Sequence, residues 1–415
     1  MSGITKRPVF LSTVVLFATA HFTHHLLTAL VVPLLPFIRG EFALSYTQSG
    51  LLVSAFTLAY GLSQLPAGWL ADRVGPRLLI MVGIVGVAVM GFLVGLSRTA
   101  PVLAGLLVGM GLAAGGYHPS ASSLIAGAVE AKNRGKALGF HVVGGSTSHF
   151  LAPLLAGAIA SAVGWRGTFL WTSLPVLLFG AVLYLLMHRL YPGPDRLPAL
   201  KVPAANPQAG AQTVADPPMR RVRMLHLVVF LVLTSVINAF MASVIAFVPL
   251  FMVDFFRLTE ERAALALALV FAAGYWGAPA GGYLADRLGS VRVLGLVGLA
   301  SGPLIALFGY VPLGAGFTVL LLVFGTLMFV RMPTSESFLV ANTNLRIRST
   351  VLGVYFFAGM EGGALLTPIL GYLIDRFGFR TGFALSGAAL AALAVACVVL
   401  LSSGRSPGRR TAQPS

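Results

Sequence analysis

With 415 residues, 57% of them hydrophobic and only 10% charged, the chain has too little polar surface to fold as soluble domains, and its mean hydropathy of +0.90 is that of a membrane protein. The formal charge of +16 invites a polyanionic partner. With both termini placed in the cytoplasm, however, 20 of the 28 Lys and Arg fall inside, 7 outside and Arg331 within a helix, so the positive-inside rule explains the basicity and nucleic acid is excluded as a partner.

Apolar runs long enough to cross a hydrocarbon core of about 30 Å recur along the whole sequence. Twelve are expected, with cores near 9–36, 46–67, 78–97, 101–128, 138–163 and 167–187, then 225–252, 263–285, 293–312, 315–341, 350–374 and 381–402. Lys6 and Arg7 ahead of an apolar run containing Ala18-Thr19-Ala20 have the look of a signal peptide, but the run continues to Ile38 and reads as the first span. The stretch 189–223 holds seven prolines and a basic cluster near its end, the composition of a flexible cytoplasmic tether. It separates a six-helix bundle over 1–188 from a second over 224–402, and a polar, basic tail over 403–415 is expected to be disordered. The single cysteine, Cys397, lies in the last apolar run and rules out an intramolecular disulfide.

An eight-residue sequence repeats through these runs. It reads GWLADRVG at 68–75 and returns 214 residues later as GYLADRLG at 282–289. Weaker copies, GAIASAVG at 157–164 and GYLIDRFG at 371–378, each follow a stronger one by 89 residues. One unit used four times builds a symmetric object. Each unit holds three helices, an odd number, so successive units sit upside down relative to one another, as in the inverted repeats of secondary transporters.

The twelve spans with Gly-x-Leu-Ala-Asp-Arg-x-Gly after the second and eighth resemble the major facilitator superfamily of secondary transporters over nearly the whole chain. His21-Phe22-Thr23-His24-His25 with Pro33-Leu34-Leu35-Pro36, Tyr117-His118-Pro119-Ser120, Val143-Gly144-Gly145 and Ala152-Pro153-Leu154-Leu155 resemble its fosmidomycin-resistance-type efflux branch. The chain departs from that branch at His25 and Ser120, where an acidic residue is common, and its helix-5 antiporter signature is degraded. The resemblance implies a fold of two pseudo-symmetric six-helix bundles, each of two inverted three-helix repeats, with helices 1, 4, 7 and 10 around a central cavity. It also implies a conformational latch, in which the octet carboxylate bears on the positive end of a helix in the other half. Asp72 would meet the start of the eleventh helix near 349–352, with Gly68, Arg73, Gly75 and Arg77 around it. Asp286 would meet the start of the fifth near 135–138, with Gly282, Arg287 and Gly289 around it and Arg346 or Arg348 nearby.

Ionisable groups at the membrane midplane are expensive and persist for function. Counting about 1.5 Å per residue from the helix ends puts His21, His24, His118, His149, Asn238, Arg331 and Glu361 in one layer, roughly 15 to 23 Å deep. His21, His24, His25 and Thr28 form one polar face on the first helix, expected to look into the cavity. No cysteine or carboxylate neighbours these histidines in sequence, so no metal is assigned. Arg331 and Glu361 come out level and are expected to pair, with Glu336, about two turns away, as a second candidate partner. Tyr117, Tyr275 and Trp276 are candidates for an aromatic wall against an organic solute. No nucleotide-binding, nucleophile or metalloprotease motif occurs, so neither an enzyme nor a cofactor is indicated. The expectation is a monomeric multi-pass protein of a bacterial or archaeal cytoplasmic membrane, with both termini cytoplasmic, that moves a small organic solute by alternating access through proton-coupled efflux of a drug-like or anionic compound. Uptake symport of an organic anion and a transporter-like receptor without transport are the alternatives.

Overall fold

The computed structural model describes residues 6–130, 133–190, 221–343 and 348–403, and among them there is no strand. Residues 191–220 of the expected tether and the tail from 404 lie outside the described residues. Ten stretches are long and apolar enough to cross a membrane, and two of these, 55 and 50 residues long, hold two helices each. Arg134–Leu190 is broken at Gly164 (φ 72°) and Arg348–Ser403 at Gly378 (φ 76°), which yields the twelve helices.

Helix 1 is Lys6–Thr28 continued by Val31–Phe42, helix 2 is Tyr46–Val74, and helix 3 is Pro76–Met81, Val82–Gly86 and Val87–Leu96. Helix 4 is Ala100–Ala114 with Tyr117–Ala128, and helices 5 and 6 are the two arms of Arg134–Leu190. In the second half helix 7 is Arg221–Asp254, helix 8 is Glu260–Ala272 with Gly274–Leu288, helix 9 is Ser290–Leu307 and helix 10 is Ala315–Asn342. Helices 11 and 12 are the arms of Arg348–Ser403. The end of the bundle carrying Lys6 and Ser403 is called proximal below, and the opposite end distal.

Every copy of the octet closes on a glycine with positive φ: Gly75 (97°), Gly164 (72°), Gly289 (84°) and Gly378 (76°). L side chains avoid that region, so the glycine stops one helix and lets the next begin at a new angle. The seven residues before it are helical at 68–74 and 282–288. Inside the helix Arg73 stacks over Trp69, Arg287 over Tyr283 and Arg376 over Tyr372, at 3.6, 4.8 and 5.8 Å from guanidinium carbon to ring centroid. The i, i+4 spacing of aromatic and arginine makes these pairs possible and carries the helix to its glycine.

The two halves repeat each other in packing as well as sequence. A Cβ on Gly111 would overlap the carbonyl oxygen of Phe56, and one on Gly325 would overlap that of Val270, each partner being displaced by 214 residues. Helices 2 and 4, and helices 8 and 10, therefore touch backbone to backbone, the close approach that small residues permit between membrane helices. The halves meet along two seams. Helix 2 lies on helix 11, where Gly50 abuts Pro368 and Gly371 abuts Tyr46, and helix 5 lies on helix 8, where Gly157 abuts Glu261 and Ala264.

Candidate functional site

Two prolines shape the first half around its histidines. The Pro33 ring crowds the carbonyl of Ala29 four residues back and offers it no N–H, and helix 1 breaks at 29–30, just past His25. Pro119 does the same to helix 4 at Gly115–Gly116, just before His118. A π turn at Val82–Gly86 in helix 3 places the Gly83 carbonyl where the His24 Nδ1 donates to it, at 3.0 Å. On helix 5, His141, Gly145 and His149 recur every fourth residue, and a Cβ on Gly145 would sit 2.5 Å from the Cε1 of His21.

These elements bring six of the eight histidines of the chain into one cluster. Ring centroids lie 4.1 Å apart for His21 and His141, 4.7 Å for His21 and His25, 5.0 Å for His21 and His118, and 4.6 Å for His25 and His149. The five histidines expected from the sequence are all present, and His141 joins them. His21, His24 and His141 are buried, whereas His25, His118 and His149 are half-buried, and His149 reaches Phe271 of helix 8 across the seam, at 5.5 Å. Tyr117, expected as part of a wall, is instead fully buried behind the cluster and stacks on His24 at 4.4 Å. Tyr275 meets Phe150 of helix 5 edge-on, and the Trp276 Nε1 donates to the Thr326 hydroxyl at 2.9 Å.

The second half supplies a cation. Arg331 on helix 10 is 8% exposed and donates to Asn238 Oδ1 at 2.6 Å, Thr234 Oγ1 at 3.1 Å and Tyr355 Oη at 3.2 Å, all neutral acceptors. Among the described residues no carboxylate comes within 4.0 Å of it, and its Nε is buried without a hydrogen-bond partner. Thr234 and Asn238, four residues apart on helix 7, form the face that receives the guanidinium.

The expected Arg331–Glu361 pair does not form. Depth along a helix fixes rise but not rotation, and Glu361 lies six residues beyond Tyr355, about 240° around helix 11. Tyr355 therefore takes Arg331, while Glu361 points the other way, against Gly61 of helix 2. Glu361 is 8% exposed and its Oε1 is buried without a partner. Glu336, the other candidate partner, is half-buried on helix 10, and its Oε1 has no hydrogen-bond partner.

The side chain of Asp72 lies outside what the structure describes, as do those of residues 349, 350 and 352 in the stretch expected to face it and of residue 135 in the stretch expected to face Asp286, and Asp286 is exposed at the end of helix 8. An equivalent latch is formed at the distal end by the octet carboxylate of the fourth copy. Asp375 accepts from the backbone N–H of Tyr46 (2.9 Å) and Thr47 (2.8 Å) and from the Thr47 hydroxyl (2.5 Å). These are the first two N–H groups of helix 2, which have no partner within their own helix. The third turns to Ser45, whose hydroxyl accepts from Gln48 in a capping box. Beside this contact Arg39 bridges to Asp254 at 3.0 Å and Tyr46 Oη donates to the same carboxylate at 2.8 Å. All five of these bonds to Asp375 and Asp254 join the two halves, so the distal end is closed.

A family model described as Major Facilitator Superfamily matches residues 17–367. The chain belongs to that superfamily. It is a multi-pass integral membrane protein of a transporter family. The fosmidomycin resistance protein of Escherichia coli (strain K12) is 26% identical over 376 residues, covering 86% of this chain and 85% of that protein. The cis,cis-muconate transport protein of Acinetobacter baylyi is 24% identical over 358 residues, covering 85% and 84%. Among solved structures, a bacterial homologue of the human lysosomal transporter Spinster, inward-facing and unoccupied, superposes with a TM-score of 0.77 at 17% identity, over 97% of this chain and 100% of that one. That likeness shows the twelve-helix, two-bundle fold.

Proposed function

We propose that this chain is a monomeric secondary transporter that carries a small organic anion by alternating access. Arg331 carries the reading. A buried guanidinium whose contacts are all neutral retains its charge in a medium that penalises charge, and an arriving carboxylate relieves that cost while matching the planar fork. Asn238, half-buried beside it, is the second contact offered to the solute. The names of two relatives fit a transporter of this kind, since one moves cis,cis-muconate, a carboxylate, and the other confers fosmidomycin resistance. Likeness to the latter supports export. The closed distal end is one of the two states the cycle needs, and rocking along the helix 2–11 and helix 5–8 seams gives the other. Glu361, in the first of these seams with an unpartnered oxygen, is the residue we assign to proton coupling.

The 20-to-7 distribution of basic residues supports a cytoplasmic-membrane location with the proximal end in the cytoplasm. A cysteine at Ala211 is then labelled by an impermeant thiol reagent only in inside-out vesicles. Labelling in intact cells reverses the topology. The solute class is tested by a thermal-shift screen of the purified protein against organic anions, cations and neutral solutes. Stabilisation by anions that Arg331→Lys weakens supports the assignment, and stabilisation confined to cations or neutral solutes contradicts it.

A further inference from the structure

The transport reading uses Arg331, Asn238 and Glu361 and leaves six histidines without a task. Two overlapping sets of three imidazoles, His21 with His118 and His141, and His24 with His25 and His118, each bring their ligand nitrogens within 4.8 Å of one another. We infer that this cluster binds one transition-metal dication of the zinc class, with His118 as the ligand common to both sets.

Hydrogen bonding has already prepared the rings. The Nδ1 atoms of His21, His24, His141 and His149 meet the backbone carbonyls of His141, Gly83, Phe17 and Gly145 at 2.7, 3.0, 3.0 and 2.9 Å. A carbonyl only accepts, so each Nδ1 carries the proton and each neutral ring presents Nε2 as a lone pair. This is the outer-shell arrangement that orients metal-ligating histidines and fixes their tautomer. His25 is held in the same way through Nδ1 by the Thr28 hydroxyl at 3.3 Å, which itself donates to the backbone of helix 1.

The lone pairs outnumber the donors. His21 and His141 are 6% and 4% exposed, and the Nε2 of each is buried without a hydrogen-bond partner. The Tyr60 hydroxyl approaches only His24, at 3.5 Å. Two buried acceptors without a donor, the Nε2 atoms of His21 and His141, are costly until an electrophile reaches them. Three nitrogens bound to one tetrahedral ion at 2.0–2.1 Å lie about 3.3 Å apart, so each moves inward by less than about 1 Å, and the stacked His21 and His141 rings turn so that both lone pairs meet the ion. Both sets are purely imidazole, a donor type that suits Zn, Ni, Co and Cu and disfavours Mg and Ca. Neutral ligands leave the ion its double charge, and a three-imidazole set leaves a fourth position for water or an anion.

The test is a Co²⁺ titration of the full-length protein in detergent, purified through a tag that contains no histidine. We expect visible d–d absorption that saturates at one Co²⁺ per chain, is abolished by Zn²⁺ and persists in large excess of Mg²⁺. His118→Asn should weaken Co²⁺ binding at least ~10-fold, the loss typical even of an outer-shell partner. His188→Asn, outside the cluster, should leave it unchanged. Should His118→Asn fail to fold, X-ray absorption of the wild-type Co²⁺ complex decides, with three or more imidazoles in the ligand sphere expected. No saturable absorption, an oxygen-dominated ligand sphere, or unchanged affinity in a folded His118→Asn overturns the inference. None of these readouts requires transport, so the metal site and the anion-transport reading stand or fall separately.

Discussion

Asp375→Ala removes the contact that ties the start of helix 2 to helix 11, and its effect can be sized. Two orphan N–H groups and one hydroxyl lose their acceptor. Loss of a helix cap costs about 0.5–2 kcal/mol, and an exposed carboxylate at a helix N-terminus contributes about 0.3–1 kcal/mol. Asp375 is exposed, so solvent screens part of this, and about 1–2 kcal/mol is a reasonable total. The closed distal end is then disfavoured ~5- to 30-fold relative to the open one. Arg39–Asp254 remains, so the closed state is weakened but not abolished. Spin labels at Arg98→Cys and Leu313→Cys in a Cys397→Ser background, one on the distal loop of each half, report the separation by double electron–electron resonance. The longer-distance population should grow in Asp375→Ala and less in Asp375→Asn, which keeps one acceptor oxygen. A distance distribution identical to that of the parent in both variants refutes the latch.

Two further substitutions probe separate parts of the structure. Glu361→Gln should leave the protein folded and still able to exchange solute, but uptake or export should no longer respond to an imposed pH gradient; retained gradient-driven accumulation removes Glu361 from coupling. Gly325→Ala drives a methyl group into the Val270 carbonyl and should destabilise the protein by about 1–3 kcal/mol, with Gly111→Ala at the symmetry-related contact behaving alike, as read by thermal unfolding in detergent.

The architecture was legible because it is written twice in the sequence. The four octets end on the four turning glycines, and the packing pairs Gly111–Phe56 and Gly325–Val270, seen in the structure, obey the same 214-residue displacement. Five of the six clustered histidines were found by depth and helical face. His141 was missed, although its signal is present: His141, Gly145 and His149 at four-residue intervals mark one face of helix 5, with the glycine making room for His21. The Arg331–Glu361 pair failed for a physical reason, since equal depth on neighbouring helices says nothing of rotation, and Tyr355 rather than Glu361 faces helix 10. The distal latch was hidden because Asp375 belongs to a weaker copy of the octet, and its partner, the start of helix 2, is far away in sequence.

Flux through proteoliposomes decides most directly whether this chain transports. The organic anion that most stabilises the purified protein is loaded on one side, and its radiolabelled form is followed into liposomes containing wild-type protein, the Arg331→Lys variant or no protein. Saturable counterflow in the wild type, reduced at least several-fold in Arg331→Lys, is the expected result. If the anion binds but crosses no faster than in protein-free liposomes, the protein is a receptor with a transporter fold, and alternating access is the wrong description of what it does.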